Sequence, residues 1–484
     1  ACNEAAASTS EELMEKFFDE GKLSEEDMLR GLSAGIYEGS IVPVAPVSSL
    51  NGIGVRPLMY ELAMYMPSPM EHTYHGINPK TKSMHIRHAD MSESFTAQVF
   101  KTIADPFVGK LSYLRVISGK VTAGEPLTNA RTGEVEKITK PLTVLGKKQI
   151  ENDGIGAGDI GAVAKLVSAK TGDTLCDADR VVKLPAPVFP KPSLFMAVTV
   201  AKKGDEGKIS SALARLMEED PTLCYINNAE THQQVIGGLG EQHLDVVKAK
   251  LKNKFGVEIG LEAPRIAYRE SIRKACQKQG RHKKQSGGHG QFGDVWIEFS
   301  PIGDTSIDFE FEDAVVGGVV PRNFIPSVEK GLRESCLHGV LAGYPVVFLK
   351  ATLVDGSYHP VDSNDMAFQT AARLAYQDGI PKAKPTILEP IGLLKVTIPD
   401  ANLGDIMSDI SSKRRGTVLG MTAEDGMQTV EAEVPMAEMG SYTIDLRSMT
   451  QGRGSFSCKF VRYEEAPGNV QQKVIEEAKK EQEA

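Results

Sequence analysis

A glycine-rich run at residues 288–293 has the spacing GxGxxG, which can hold the pyrophosphate of a dinucleotide. That chemistry needs a strand before the glycines and a helix after them, because the helix N-terminus binds the phosphates. Here a basic polar stretch precedes the run, and the apolar pattern of a strand follows at 295–299. The context therefore favours a flexible glycine loop that approaches a partner closely, and it disfavours a dinucleotide-dependent enzyme.

A second pattern, GxSxG at residues 31–35, matches the nucleophile elbow of serine hydrolases. In that motif a strand leads into the serine and a helix leaves it. The residues before Gly31 have the apolar spacing of a helix instead, so we interpret the glycines as a helix C-terminus. Hydrolase chemistry at this serine is disfavoured.

Four of the ten histidines fall close together, and they form the spacing HxxH twice: His72, His75, His85 and His88. Such spacing could ligate zinc. Neither a cysteine nor a carboxylate cluster accompanies these histidines, and residues 71–94 have the composition of a polar linker. We therefore predict a solvated linker or an irregular ribbon here and no metal site in the chain.

The phosphate-binding loop GxxxxGK[ST] does not occur in the sequence. That loop supplies the backbone cradle and the lysine that hold nucleotide phosphates. We predict that this chain needs no cofactor and does not bind or hydrolyse GTP by itself.

A basic segment at residues 273–284 contains six cations and no acid, although the chain as a whole has a net charge of −9. The six are Arg273, Lys274, Lys278, Arg281, Lys283 and Lys284. They could line a solvated edge strand, where lysines prevent aggregation. The contrast with the acidic chain favours contacts with RNA phosphates. Because the segment contains no aromatic residue, we expect no base stacking within it.

The loop at residues 355–362 (DGSYHPVD) joins a predicted strand to a predicted helix in the same region as the glycine loop. Its glycine, proline and histidine could serve only as a turn. Two such loops at one end of an α+β domain could instead form a probing tip. We expect no residue to activate His359 as a general base, so it would act through position and hydrogen bonding.

Length and composition limit the class of protein to which the chain can belong. The chain has 484 residues, of which 41% are hydrophobic and 25% charged, as in soluble proteins with several domains. It contains no long apolar run and begins with an acidic stretch, so neither a membrane span nor a signal peptide is expected. Its six scattered cysteines are typical of the reducing cytoplasm.

The fold class predicted from the sequence is multidomain, with α+β and β parts. Short strand patterns separated by glycine turns at 95–183 predict a β-barrel. The order strand-helix-strand-strand-helix-strand occurs at 193–263 and again at 391–465, which is the ferredoxin-like plan. A buried strand is expected at 41–50, at the end of an α/β unit. The segments are that unit at 1–70, the barrel at 71–187, ferredoxin-like domains at 188–265 and 389–466, a mixed α+β domain at 266–388 between them, and a charged tail at 467–484.

Six motifs in this order resemble those of elongation factor G, and the resemblance covers about 41–466. They are the runs at 105–111, 237–244, 285–293, 356–363, 384–390 and 445–453. The family is a ribosomal translocase driven by an N-terminal GTPase domain, which uses GTP and Mg²⁺. Ser48, Ser49 and Leu50 resemble the last guanine-contacting loop of that domain. The motifs upstream of this loop are absent and the chain begins with Ala1, so we expect a piece of a longer GTPase.

The resemblance also implies which residues meet the ribosome. The two loops of the mixed domain would enter the decoding site and contact tRNA and mRNA, with His359 at the end. These tip residues are Gly287, Gly288, His289, Gly290, Gln291, Phe292, Gly293, Ser357, Tyr358, His359, Pro360, Val361 and Asp362. The second ferredoxin-like domain would meet large-subunit ribosomal RNA.

Several positions depart from the family pattern. His289, Phe292 and Asp294 replace a usual arginine, tyrosine and histidine, and Gln242 replaces an apolar residue. Residues 440–441 (Gly-Ser) replace a usual Phe-Gly pair. These differences indicate a divergent paralogue.

We therefore expect a cytoplasmic, monomeric, ribosome-binding protein that promotes translocation of tRNA and mRNA and makes no covalent bond itself. Within the same class, ribosome recycling or ribosomal protection are alternatives. A further alternative is a stand-alone ribosome-binding or RNA-binding protein without GTPase activity.

Overall fold

The computed structural model describes residues 1–105, 109–200, 202, 204–284 and 290–483. The chain divides into two compact units: Ala1–Phe189 with Ala214–Pro221, and Pro190–Leu213 with Thr222–Ala484. The architecture is multidomain and combines α+β with β parts, as predicted. Within the described residues, every helix is too short or too polar to cross a bilayer.

The first unit begins with three helices: α1 (Cys2–Ala7), α2 (Glu11–Glu20) and α3 (Glu25–Glu38). Ser10 and Ser24 cap α2 and α3 by accepting backbone hydrogen bonds, which satisfies free amides of the first turn. Gly31 lies inside α3, where an added Cβ would be 2.6 Å from the carbonyl oxygen of Ala6. The GxSxG glycines are therefore a helix-packing feature, and the predicted helix C-terminus at Gly35 is wrong.

The predicted buried strand at 41–50 is also wrong. Residues 41–47 are extended but unpaired among the described residues, and Val44 is 89% exposed. Pro43 and Pro46 lack the N–H groups that a central strand must donate, so the apolar run alone was misleading. The helix that follows, α4 (Val55–Tyr65), has no buried residue.

Residues 71–94, expected to be a linker or an irregular ribbon, contain a regular β-hairpin. Strand β1 (Tyr74–Ile77) pairs antiparallel with β2 (Met84–Arg87). Asn78 closes the turn, because its side-chain oxygen accepts hydrogen bonds from the amides of Lys80 and Thr81.

The predicted β-barrel appears as an eight-stranded sheet around one apolar core. The strands are β3 (Thr96–Asp105), β4 (Gly109–Ser118), β5 (Lys120–Thr122), β6 (Pro126–Asn129), β7 (Val135–Lys137), β8 (Leu142–Leu145), β9 (Lys148–Glu151), β10 (Gly154–Gly156), β11 (Ile160–Ala164) and β12 (Thr174–Cys176). Eight of them pair in the order β7-β6-β12-β3-β4-β11-β8-β9, and β5 pairs with β10. Leu127 of β6, Leu114 of β4 and Val163 of β11 are buried in the same cluster.

The first ferredoxin-like domain has the predicted element order. It consists of β13 (Leu194–Val200), α5 (Glu206–Glu219), β14 (Cys224–Asn228), β15 (Gln233–Gly238), α6 (Glu241–Phe255) and β16 (Ile259–Glu262). The strand order is β14-β15-β13-β16. Gly256 ends α6 in a left-handed conformation with φ of 66°, which glycine adopts without steric strain.

The next domain, residues 276–379, is called the tip domain below. After β17 (Arg269–Ile272), it contains β18 (Cys276–Lys284), β19 (Gln291–Pro301), β20 (Phe309–Asp313), α7 (Ile325–Cys336), β21 (Leu349–Ser357) and α8 (Asp365–Gly379). The sheet order is β18-β19-β21-β20, with β20 parallel to β21. Both helices pack on one face, where Ile297, Leu332 and Phe368 are fully buried.

The second ferredoxin-like domain comprises β22 (Pro385–Pro399), α9 (Leu403–Ser408), β23 (Thr417–Glu424), β24 (Met427–Pro435), α10 (Tyr442–Thr450) and β25 (Ser455–Glu465). Helix α11 (Gly468–Glu483) follows. After α9 the chain continues as a π-helix over Asp409–Lys413. Strand β22 is long, since it pairs with β17 at one end and with β24 and β25 along the rest.

Candidate RNA-binding tip

The basic segment is mostly strand β18, which pairs along its whole length with β19. Lys283 lies opposite Phe292, and Lys284 lies opposite Gln291. The glycine motif therefore connects two antiparallel strands, whereas a dinucleotide-binding loop leads into a helix. Of the predicted tip residues, Gly287, Gly288 and His289 lie outside the described residues.

The second loop runs from the end of β21 to the start of α8. Asn364 caps the helix by accepting the amide hydrogen of Ala367 at 2.9 Å. Ser363 closes the loop: its side-chain oxygen accepts from the His359 amide at 2.9 Å, and its own amide donates to the His359 carbonyl at 3.1 Å. The segment 359–363 is thus a hydrogen-bonded turn that holds His359, Pro360 and Val361 at the surface.

The structure brings the described ends of the two loops together. The Gly290 amide donates to Asp362 Oδ1 at 2.9 Å, and the Phe292 amide donates to the Asp362 carbonyl at 2.8 Å. The Ser363 hydroxyl donates to the Phe292 carbonyl at 2.9 Å. These three bonds join the start of β19 to the turn before α8, although the residues are about seventy positions apart.

His359 is 52% exposed and has a carboxylate neighbour, Asp362; that no residue activates it as a general base stays a prediction. Its Nδ1 accepts the Asp362 amide hydrogen at 3.1 Å and lies 3.3 Å from Asp362 Oδ2. The Phe292 ring centroid is 6.3 Å from the imidazole. Asp362 therefore orients the imidazole as well as tying the two loops together.

The six basic residues do not form one uniform cluster. Lys274, Lys283 and Lys284 are exposed, and their side chains form no hydrogen bond or ion pair with the described residues. Arg281 lies over the Phe292 ring, with 5.7 Å from guanidinium carbon to ring centroid. Lys278 adjoins Lys382, and this like charge lowers the pKa of Lys382. Lys382 thus adds a cation that the sequence analysis missed, because it comes from a turn a hundred residues away.

Arg273 has an acidic partner, whereas the segment was expected to have none. It forms an ion pair with Glu465 of β25 and donates to the Thr386 hydroxyl at 3.2 Å. These two contacts connect Arg273 to strands β25 and β22 of the second ferredoxin-like domain. Arg273 therefore serves the junction between domains, and the free positive charge lies farther along β18.

Two signature motifs far apart in sequence also meet. Arg447 of the motif at 445–453 donates to the carbonyl of Leu239, in the motif at 237–244, at 2.6 Å. A Cβ at Gly240 would lie 2.6 Å from Arg447 Nη1, so a larger residue there would displace the guanidinium. Nearby, the Thr443 hydroxyl donates to the Ser193 carbonyl at 2.7 Å. The two ferredoxin-like domains are joined through these contacts.

The other predicted site residues lie in the first unit. Ser48, Ser49 and Leu50 form an exposed turn in which the Ser48 amide donates to the Ile53 carbonyl at 2.9 Å, and Leu50 is 95% exposed. Three of the four clustered histidines contact other side chains: His72 with Tyr37, His85 with Ser83 and His88 with Glu93. Within the described ranges, no group of three His, Cys, Asp or Glu residues is arranged to hold a metal ion.

Comparison with known families gives four matches that follow one another along the chain. They are described as elongation factor G domain 2 (residues 94–178), domain III (189–263), domain IV (264–384) and C-terminus (386–474). Among solved structures, the chain is similar to a protein of Thermus thermophilus, with 34% sequence identity and a TM-score of 0.76. That similarity covers 99% of this chain and 69% of the Thermus chain.

Proposed function

Because the chain belongs to the elongation factor G family, we propose that it is the ribosome-binding part of a translation GTPase of that family. In this proposal the tip domain enters the decoding site of the ribosome in the cytoplasm and promotes movement of tRNA and mRNA. The partners are the ribosome, its RNA, tRNA and mRNA, and the chain acts as a monomer. GTP and Mg²⁺ would be bound by a GTPase domain, and this chain would need no cofactor of its own.

The observation that carries the proposal is the joined pair of loops at the end of the tip domain. The turn residues His359, Pro360 and Val361 are exposed there, which suits close approach to RNA. The exposed Lys283 and Lys284 lie beside the loops and add positive charge in an otherwise acidic chain. Such a local cationic surface attracts a polyanion despite the net charge of −9.

A mechanical role also requires the tip domain to be joined firmly to a neighbouring domain. Three contacts connect the segment just before the tip domain to the second ferredoxin-like domain. The Tyr463 hydroxyl donates to the Ala267 carbonyl at 3.1 Å, and Arg269 lies over the Tyr463 ring at 5.2 Å. Strand β17, just before the tip domain, pairs with β22 of the second ferredoxin-like domain. Displacement of that domain would therefore move the tip as a rigid body.

A competition experiment tests this function with the chain as it is. We expect excess chain to slow translocation by elongation factor G on purified ribosomes, measured by primer-extension toeprinting, because both proteins would occupy the same site. GTP hydrolysis by elongation factor G in the absence of ribosomes should be unaffected. Unchanged translocation at chain concentrations well above those of the factor would contradict the proposal.

A further inference from the structure

The tip-domain sheet has a second face that neither helix covers. Gly280 and Gly293 face α8, because an added Cβ would lie 1.9 Å from the Ala371 carbonyl oxygen and 2.5 Å from that of Ala367. Side chains alternate along a strand, so residues an odd number of positions from these glycines point the other way. Four such residues define what we call the open patch: Arg281, Lys283, Phe292 and Trp296.

The open patch combines cations with aromatic rings. Arg281 lies over Phe292, and Lys283 is directly opposite Phe292 in the strand register. Trp296 lies two residues after Asp294, on the same face of β19, and its side chain is 36% exposed. The basic segment had been expected to offer no stacking platform, since it contains no aromatic residue. The platform comes from its partner strand β19, which the pairing places beside it.

Two acids lie beside the patch: Asp294, whose charge is engaged, and Asp355, which is exposed and lies opposite Trp296 in the strand register. Asp294 is only 8% exposed, and its two oxygens accept hydrogen bonds from Gln279 Nε2 at 2.8 Å and Ser357 Oγ at 2.7 Å. The exposed acid on the same strand, Glu298, lies farther from the loops. The end of the face nearest the loops, around Arg281, Lys283 and Phe292, is therefore cationic and aromatic, while Asp355 places one negative charge beside Trp296.

We propose that the open patch binds unpaired RNA bases by stacking on Phe292 and Trp296, while Arg281 and Lys283 contact the adjoining phosphates. Aromatic side chains and arginine on a sheet surface are suited to splayed single-stranded bases, whereas the bases of a duplex are already stacked. The inference rests on the proposed function, because it gives the tip domain a second RNA contact besides its loops.

Trp296 is the only tryptophan of the chain, so its fluorescence reports on the patch directly. A six-nucleotide oligouridylate should quench this fluorescence saturably at low salt, because a stacked base contacts the indole. An RNA duplex with the same number of phosphates should quench it far less. Equal quenching by the duplex, or no quenching by the oligouridylate, would overturn the proposal.

Two variants separate stacking from charge. Phe292→Leu should weaken oligouridylate binding about fivefold or more, since each base–aromatic contact contributes at least that factor. Lys283→Ala, at an exposed position that cannot unfold the sheet, should lower the salt dependence of binding by roughly one phosphate contact. Phe460→Leu, an exposed aromatic on β25, is the matched control and should bind as the parent does. Unchanged affinity in both patch variants would contradict the inference.

Ribosome co-sedimentation keeps this test distinct from that of the proposed function. A chain that sediments with ribosomes but shows no quenching by oligouridylate would refute the open patch alone. A chain that is quenched but neither sediments with ribosomes nor competes with elongation factor G would refute the proposed function and support the patch.

Discussion

The backbone amide of Gly290 donates a hydrogen bond to Asp362 Oδ1 at 2.9 Å, across 72 positions of sequence. A Cβ at Gly290 would lie 3.1 Å from the Asp362 carboxyl carbon, so the position is tight for any larger residue. This contact joins the two loops of the tip domain, which appear in the sequence only as separate motifs.

The first prediction tests that contact. Asp362→Ala should lower the free energy of unfolding by about 1–2 kcal/mol, because it leaves a partly buried amide without its acceptor. Hydrogen exchange at the Gly290 amide should accelerate, while Asp362→Asn, which keeps an acceptor oxygen, should change both quantities less. Equal protection of Gly290 in the parent and in Asp362→Ala would show that the bond does not hold the loops together.

The second prediction concerns the packing of β18 against α8. Gly280→Ala should destabilise the tip domain by about 1–3 kcal/mol or more, because its methyl group would overlap the Ala371 carbonyl and the Ala375 amide. Gly303→Ala is the matched control, since nothing lies within 4 Å of its added Cβ. Thermal unfolding should show a lower midpoint for the first variant only. Similar midpoints for both would mean that strand and helix pack more loosely than the structure shows.

The third prediction concerns His359. In a hybrid that joins the GTPase domain of elongation factor G to this chain, His359→Ala should slow translocation and leave ribosome-stimulated GTP hydrolysis nearly unchanged. The reason is that the imidazole is exposed at the end of the tip and is oriented by Asp362. Rapid-mixing measurements of both reactions provide the check. Loss of both activities together would indicate a misfolded tip, and normal translocation would indicate a turn residue only.

The fourth prediction is that the chain alone does not bind GTP. The warrant is the sequence, which contains no phosphate-binding loop to hold the β- and γ-phosphates. Titration of a fluorescent GTP analogue with Mg²⁺ should give no saturable signal up to high micromolar protein. Saturation in the low micromolar range would contradict the prediction.

Local patterns were enough to predict the two ferredoxin-like domains, since each helix and strand shows its own periodicity. Local patterns were not enough where the structure of a segment depends on contacts with residues that are distant in the sequence. The apolar run at 41–47 has the composition of a buried strand but finds no partner strand among the described residues. The basic segment was recognised, yet the pairing of Arg273 with Glu465 spans 192 positions and left no local signal. The contacts of Asp362 with the Gly290 amide and of Arg281 with the Phe292 ring likewise arise from the fold and have no local sequence signal.

The most direct test of the account is ribosome co-sedimentation across a salt series with the double variant Lys283→Ala/Lys284→Ala. Because these exposed lysines would neutralise RNA phosphates, the log–log slope of affinity against salt should fall by about 1–2, at roughly 0.7–0.9 per phosphate. The melting temperature should stay the same. Lys147→Ala/Lys148→Ala, an equally exposed pair at the β8–β9 turn, is the control and should retain the parent slope. A slope that is identical in the parent and both double variants would contradict the claim that the tip domain binds ribosomal RNA through β18.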